Sequence, residues 1–387
     1  MDLATAPALF KAAPPAVPEI GAQEAVLLIS TENARDRQFV KAWENLAAAA
    51  SEPNPFFEPW FVLPSFNAFP ESTKINLFAH FTNGELTGLM PIGRTANYYG
   101  YPVPHTAGWQ HDNAFCGAPL VACGRERSFW RTLLSHLDEV TTFDLFLHMP
   151  RLSCDGTLYP ALKAVLAEEA RPSYISFEES RAMVATNLSS EEYFQSSMST
   201  KKRKELRRQH KRLSEEGLLE FVRCDDAVDI DKWIADFVAL EAAGWKGKAG
   251  SALGSAPETH QFFAETLKAA ADAGKLERLT LNLDGWPIAM LANFISPPGV
   301  FSFKTTFDEA FARFSPGMLL QLENLSLVDR EDIDWADSCA AEGHPMIERL
   351  WREKRTLKSH NVAIGGAPRR AVFKRLMAYE TRNRSAA

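Results

Sequence analysis

FSFKTTFDEAFARFSPGMLL, residues 301–320, decides how the second half of the chain is read. FSFKTTF is rich in aromatic and β-branched residues at strand length, and Ser-Pro-Gly then opens a helix. The Ser315 hydroxyl suits an N-cap, Pro316 suits the first helical position, and Gly317 puts no side chain in front of the free amides. Such a start is either an ordinary helix cap or a place for an anion such as phosphate. Lys304 lies inside the apolar strand, where an inward ammonium costs several kcal/mol unless paired. It therefore faces a wet cleft or an anionic ligand, with Asp308 as a further partner, or it points outward into solvent.

Outward from this stretch, LEFVRC reads as a strand, DIDKWIADFVALEAAG and PETHQFFAETLKAAADAG as helices, and KLERLTLNL as a strand. Asp284-Gly285 turns the chain into WPIAMLANFIS. After the Ser-Pro-Gly helix come a short strand IDWAD, a helix HPMIERLWREKR and a final strand KSHNVAIGG. The first half has the same order. EAVLLIS is a strand, RDRQFVKAWENLAAAA a helix, FFEPWFVLPSFNAF a second helix or irregular segment, and INLFAHFT and ELTGLMPIG a hairpin closed by Asn83-Gly84. Gly84 and Gly285 stand 201 apart (285−84), and Gly117 and Gly317 stand 200 apart (317−117). An internal repeat of one α/β unit follows.

The 387 residues, 46% hydrophobic and 24% charged, suit a folded chain of two domains of ~100–200 residues each. A net charge of −7 argues against general DNA binding. Five scattered cysteines, Cys116, Cys123, Cys154, Cys224 and Cys339, include no C-x-x-C pair, so neither a disulfide framework nor a metal site is expected. A reducing cytoplasm fits, with peripheral contact at the inner membrane left open. Residues 1–20 are rich in Ala and Pro and read as a disordered arm, and no apolar run reaches the ~18 residues of a transmembrane helix.

The order strand, helix, helix, three strands, helix, strand, helix, strand resembles the GNAT acyltransferase fold. The segments KKRKELRRQHKRL, GWKGKAGSAL, FSFKTTFDEAFARFSPGMLL and DSCAAEGHPMIERLWREKR, with NPFFEPWFVLPSF and HDNAFCGAPLV, resemble the double-domain GNAT-type acyltransferases of bacterial cellulose and exopolysaccharide loci, which are related to Fem peptidyltransferases. The resemblance implies a tandem α/β (α+β) fold, with a GNAT-like domain over 21–187, a GNAT acyltransferase domain over 188–370 and a tail over 371–387. It implies transfer of an acyl group from acyl-CoA, as co-substrate, to an amine, with no metal. In typical GNAT proteins an Arg/Gln-x-x-Gly-x-Gly/Ala loop wraps the CoA pyrophosphate. That place is held here by Arg313, Ser315, Gly317 and Met318. The glycine comes one residue late and Leu319 replaces the small residue, so the cradle departs from the family pattern.

The chemistry needs a neutral amine, a polarised thioester carbonyl and a proton for the leaving thiolate. His344 stands at the start of the expected helix, and histidine, with an unperturbed pKa of ~6.5, is the residue type suited to taking the amine's proton. Asp337 would orient it or hold the acceptor ammonium. Against this, both residues also suit a plain helix start. Cys339 with His344 would make an acyl-enzyme, although a buried cysteine is more often structural.

The segment 201–212 carries eight Lys or Arg against one Glu. It is either a solvated linking helix or, through residues such as Arg203 and Arg207, a contact for phosphates of CoA, a nucleotide sugar, tRNA or an anionic membrane. Trp245 and Lys246, in a glycine-rich loop, either line the acceptor pocket or belong to the core. Three functions follow: an acyl-CoA-dependent N-acyltransferase acting on an amino sugar or a long-chain, sphingoid-like amine; a Fem-like transferase using aminoacyl-tRNA; and a non-catalytic GNAT-like subunit of polysaccharide assembly.

Overall fold

The structure, a computed structural model, describes residues 23–384 except 70, 72, 73, 142 and 251. The arm expected over 1–20 lies outside the described residues. The chain divides into two compact units: Met1–Phe66, Pro70–Glu179 and Thr356–Ala387 form one, and Asn67–Phe69 with Ser180–Arg355 the other. The division falls at 179/180 rather than 187/188, and the last strand and helix return to the first unit.

In the first unit, strand β1 (Glu24–Ser30) leads into helix α1 (Arg37–Ala48). The Asp36 carboxylate starts α1 by accepting the N–H groups of Gln38 and Phe39 at 3.0 and 3.1 Å. Phe39, Trp43 and Leu46, at helical spacing, face the core. Helix α2 (Pro59–Ala68) follows, then β2 (Ile75–Thr82), β3 (Glu85–Tyr98), β4 (Tyr101–Gly108), β5 (Leu120–Val121), helix α3 (Glu126–Val140), β6 (Phe146–Ser153), helix α4 (Leu158–Glu168) and β7 (Ser173–Val184). Asn83 and Gly84, at φ 53° and 84°, make the expected hairpin turn, for which both central residues need positive φ. The strands run in the order β1-β2-β3-β4-β6-β13, where β13 is Glu353–Ala363. All neighbours are antiparallel except β4 and β6, which pair in parallel at Thr106↔Leu147 and Ala107↔His148.

The second unit repeats the plan. It holds helices α5 (Ser190–Ser197), α6 (Thr200–Ser214), α7 (Ile230–Ala243), α8 (Trp245–Lys248) and α9 (Pro257–Asp272) and strands β8 (Leu219–Cys224), β9 (Leu276–Leu283), β10 (Trp286–Ser296) and β11 (Gly299–Phe307). Helix α10 (Pro316–Asn324) and strand β12 (Trp335–Asp337) complete it. Strand order is β8-β9-β10-β11-β12-β7, antiparallel except for the parallel β11/β12 pair. Asp284 and Gly285 turn β9 into β10 at φ 50° and 78°. Each unit is thus a mixed sheet flanked by helices, as the repeat implied.

Three expected elements differ. HPMIERLWREKR is no helix beyond a 3-10 turn at Ile347–Arg349. The Tyr193 hydroxyl accepts the Arg352 N–H at 2.8 Å and donates to Glu353 at 2.7 Å, which draws the chain straight into β13. Where a tail was expected over 371–387, helix α11 (Ala367–Arg384) instead buries Phe373 and Met377, four residues apart, against Tyr98, Phe146 and Ala363, and residues 385–387 lie outside the described residues. In place of a glycine-rich loop after Gly244, the chain forms α8 and a 3-10 turn at Leu253–Ser255. The buried Glu241 carboxylate binds the Lys246 ammonium and the Leu253 N–H, both at 2.7 Å.

Candidate functional site

In the second unit, β11 and β12 pair only from Gly299↔Trp335 to Phe301↔Asp337. Beyond that point β11 continues to Phe307, paired with β10 on its other side. The two parallel strands therefore part, and the open edge of β11 presents backbone donors and acceptors toward whatever enters between them.

A 3-10 turn at Glu309–Phe314 then leads to Ser315, which sits in the left-handed region at φ 55°, ψ 50°. Its side chain makes no cap, contrary to expectation. The Ser315 carbonyl instead accepts the N–H groups of Met318 and Leu319 at 2.9 and 3.1 Å, so the backbone closes the first turn by itself. Pro316 occupies the first helical position as expected.

A cavity of about 280 Å³ opens at this helix start, lined by Ser315, Pro316, Gly317 and Met318 together with Phe307, Met346, Lys202 and Arg349. A Cβ on Gly317 would lie 3.2 Å from Phe307 Cδ1 and 3.5 Å from Met346 Sδ, so the glycine keeps the floor low. Lys202, from the first turn of α6, and Arg349 bring two cations to the same space. Neither forms an ion pair among the described residues. Sequence reading missed this pair. Lys202 lay in the basic run that was singled out, but Arg349 lay in a stretch read as an ordinary helix.

Asp337 is fully buried and does not orient His344. Its Oδ2 accepts Arg181 Nη2 at 2.7 Å and Arg355 Nη1 at 2.9 Å, and its Oδ1 accepts the Cys339 N–H at 2.9 Å. Burial alone would raise this carboxyl's pKa, but the two guanidinium charges and the hydrogen bonds outweigh it and hold it below the usual value. With both oxygens engaged and no exposure, it cannot hold an acceptor ammonium either. Arg355 also stacks 4.0 Å from the centre of the Trp335 ring.

Cys339 is buried at positive φ beside this cluster. His344 lies on an exposed turn, where Nδ1 accepts the Ile347 N–H at 3.5 Å and Pro345, the next residue, lines the Ser315 cavity.

The remaining candidates fall in several places. Met318 is buried in the core and meets the cavity with part of its surface. Arg313 is exposed, pairs with Glu216 at 2.9 Å and lies over the Phe314 ring. Lys304 is half-buried with its ammonium 5.4 Å from the centre of the Phe303 ring. The Asp308 carboxylate caps the following 3-10 turn by accepting the Ala310 N–H at 2.9 Å. Trp245 is exposed, with its N–H on Glu309 at 2.6 Å, while Lys246 is committed to Glu241. Arg203 donates to the Gln195 carbonyl at 2.9 Å. Arg207 lines a separate cavity of about 360 Å³ with His210, Phe194, Phe221, Leu319 and Leu322. No group of side chains suited to a metal ion occurs among the described residues.

Residues 200–343 match the family model described as Acetyltransferase (GNAT) domain. That span contains α6, the parting strands and the Ser315–Met318 helix start. No curated protein matches the sequence. Among solved structures, FemX superposes with a TM-score of 0.57 at 8% identity, covering 87% of this chain and 98% of that one. A conserved protein of unknown function from Bacteroides thetaiotaomicron VPI-5482 gives 0.55 at 10% identity, covering 84% and 97%. The C-terminal domain (DUF2156) of a putative lysylphosphatidylglycerol synthetase from Agrobacterium fabrum gives 0.53 at 9% identity, covering 87% and 94%. These likenesses are of fold.

Proposed function

We propose that the chain is an acyl-CoA-dependent N-acyltransferase that binds its donor at the parting of β11 and β12 in the second unit and transfers the acyl group to a primary amine, on an amino sugar or a long-chain, sphingoid-like base. The observation that carries this reading is the cavity at the start of α10. It combines a glycine floor, the positive end of a helix and two uncommitted cations, Lys202 and Arg349, which together suit the phosphates of a nucleotide thioester. The open β11 edge suits the amide-bearing arm of such a donor.

The chemistry is direct. The amine nitrogen attacks the thioester carbonyl carbon, a C–N bond forms, the C–S bond breaks and the thiolate takes up a proton. His344, next in sequence to the cavity-lining Pro345, receives the amine's proton directly or through water. The burial of Cys339 gives an acyl-enzyme no support, and Asp337 serves to fix the end of β12.

A second reading is favoured by one observation. Helix α6 exposes Lys201, Lys204, Arg207, Arg208, Lys211 and Arg212, a surface suited to a phosphate backbone and hence to an aminoacyl-tRNA donor. Calorimetric titration of the purified chain with CoA and, separately, with tRNA at physiological salt tests the two. Saturable binding of CoA that Lys202→Ala and Arg349→Ala each weaken about tenfold supports the first. Binding of tRNA with no response to CoA supports the second.

A further inference from the structure

The first unit holds a cavity of about 770 Å³ that the donor site does not use, a volume within the usual range for small-molecule pockets. It lies where β4 and β6 part, after their two-residue parallel pairing. Its wall includes His105, His148, Gln110, Trp109 and Tyr99.

The two imidazoles are held in one tautomer. His105 Nδ1 lies 2.9 Å from the Val103 carbonyl, which can only accept, so this nitrogen carries the hydrogen. For His148 the assignment runs through three residues. The Tyr98 hydroxyl donates to the Glu380 carboxylate at 3.2 Å, so it must accept from the Asn361 amide nitrogen, 2.6 Å away. That orientation leaves Asn361 Oδ1 facing His148 Nδ1 at 2.6 Å, and Nδ1 is again the donor. Burial pushes both imidazoles below their usual pKa, so both are neutral near pH 7. Each therefore keeps Nε2 as a lone-pair acceptor on the ring edge turned from its protein partner.

Gln110 adds a donor and an acceptor. Both of its amide atoms are shielded from solvent and make no hydrogen bond among the described residues, an arrangement that costs free energy unless a ligand group meets them. Tyr99, 61% exposed and edge-on to His148 at 6.1 Å, stands at the rim, and Trp109 lies in the wall. A sugar has hydroxyls that both donate and accept around its edge and a C–H face that lies against an aromatic ring. The wall offers the complement of each.

We propose that this cavity is a glycosyl-binding site of the first unit, in which His105 and His148 accept hydrogen bonds from sugar hydroxyls through Nε2, Gln110 both donates and accepts, and Tyr99 covers the ring face. The proposal is independent of the donor chemistry in the second unit. Its test is calorimetric titration of the full chain with cellobiose and with glucosamine, using dodecylamine as the apolar comparison. At least one sugar binds in the millimolar range or tighter, and His148→Leu and Gln110→Leu each weaken it about tenfold or more. Tyr99→Ala, at an exposed rim position, weakens the same sugar severalfold, so the test survives even if a wall variant fails to fold. Histidine ¹⁵N spectra show His148 as the Nδ1–H tautomer, and its Nε2 resonance moves on sugar addition. Absence of saturable sugar binding, sugar affinity unchanged in folded His148→Leu and in Tyr99→Ala, or dodecylamine taking the site instead would overturn it.

Discussion

Asp337, read from its neighbours alone, looked like a polar residue before a helix. Its two partners come from 156 residues before and 18 residues after it, which no local pattern reveals. Removing the charge with Asp337→Ala leaves two guanidinium groups without their buried counter-ion. The expected loss is about 3–5 kcal/mol of stability, read from the urea midpoint. Because this carboxyl's folded pKa is depressed, its contribution is full above the unfolded carboxylate range and fades as pH falls through the lower folded value. His360 adds a second acid-sensitive element. Burial, with a smaller effect from Lys358, lowers its pKa from 6.5 to about 4. Between these values the unfolded chain binds the extra proton, so stability rises with pH across this window and is lost on acidification toward pH 4. The two pKa values imply a change of about 3 kcal/mol, and His360→Phe should flatten thermal melting over the same range. His344 is accessible on its turn, and its imidazole made it a candidate base in the sequence, although the helix expected around it is not formed. His344→Ala should lower turnover ~10²–10⁴-fold with little effect on donor binding, while Cys339→Ser changes turnover modestly. Initial rates against pH, with one amine acceptor, check both.

The junction of β11 and α10 was legible at the scale of elements, because an apolar strand, Ser-Pro-Gly and an amphipathic run carry local signals that tertiary contacts reinforce. The cap itself was not legible. Whether Ser315 uses its hydroxyl or its carbonyl depends on a left-handed backbone set by the preceding 3-10 turn. Likewise the helix expected at 344–355 had suitable residues, but the Tyr193 hydroxyl, more than 150 positions earlier, takes the Arg352 N–H and holds the chain out of helix there. Gly317→Glu tests the junction. It places a carboxylate at the floor beside Phe307 and Met346, opposed to any phosphate there, and should weaken CoA binding by tenfold or more. Gly317→Ala, at 3.2 Å from a ring edge, should have a much smaller effect.

Across the whole chain, the two turn pairs Asn83-Gly84 and Asp284-Gly285 made the duplication readable, since each imposes positive φ that few other residues accept. The return of the C-terminal strand and helix to the first unit was hidden. Leu357–Ala363 pairs with β6 some 200 residues upstream, and a strand's own sequence does not name its neighbour. The central claim is that the second unit binds a CoA thioester at the start of α10, and calorimetric titration of CoA into the wild-type chain and into folded Gly317→Glu tests it most directly. Saturable binding at one site is expected in the wild type, and at least a tenfold loss in the variant. Equal CoA affinity in the two proteins, or no CoA binding by the wild type where tRNA binds, would contradict it.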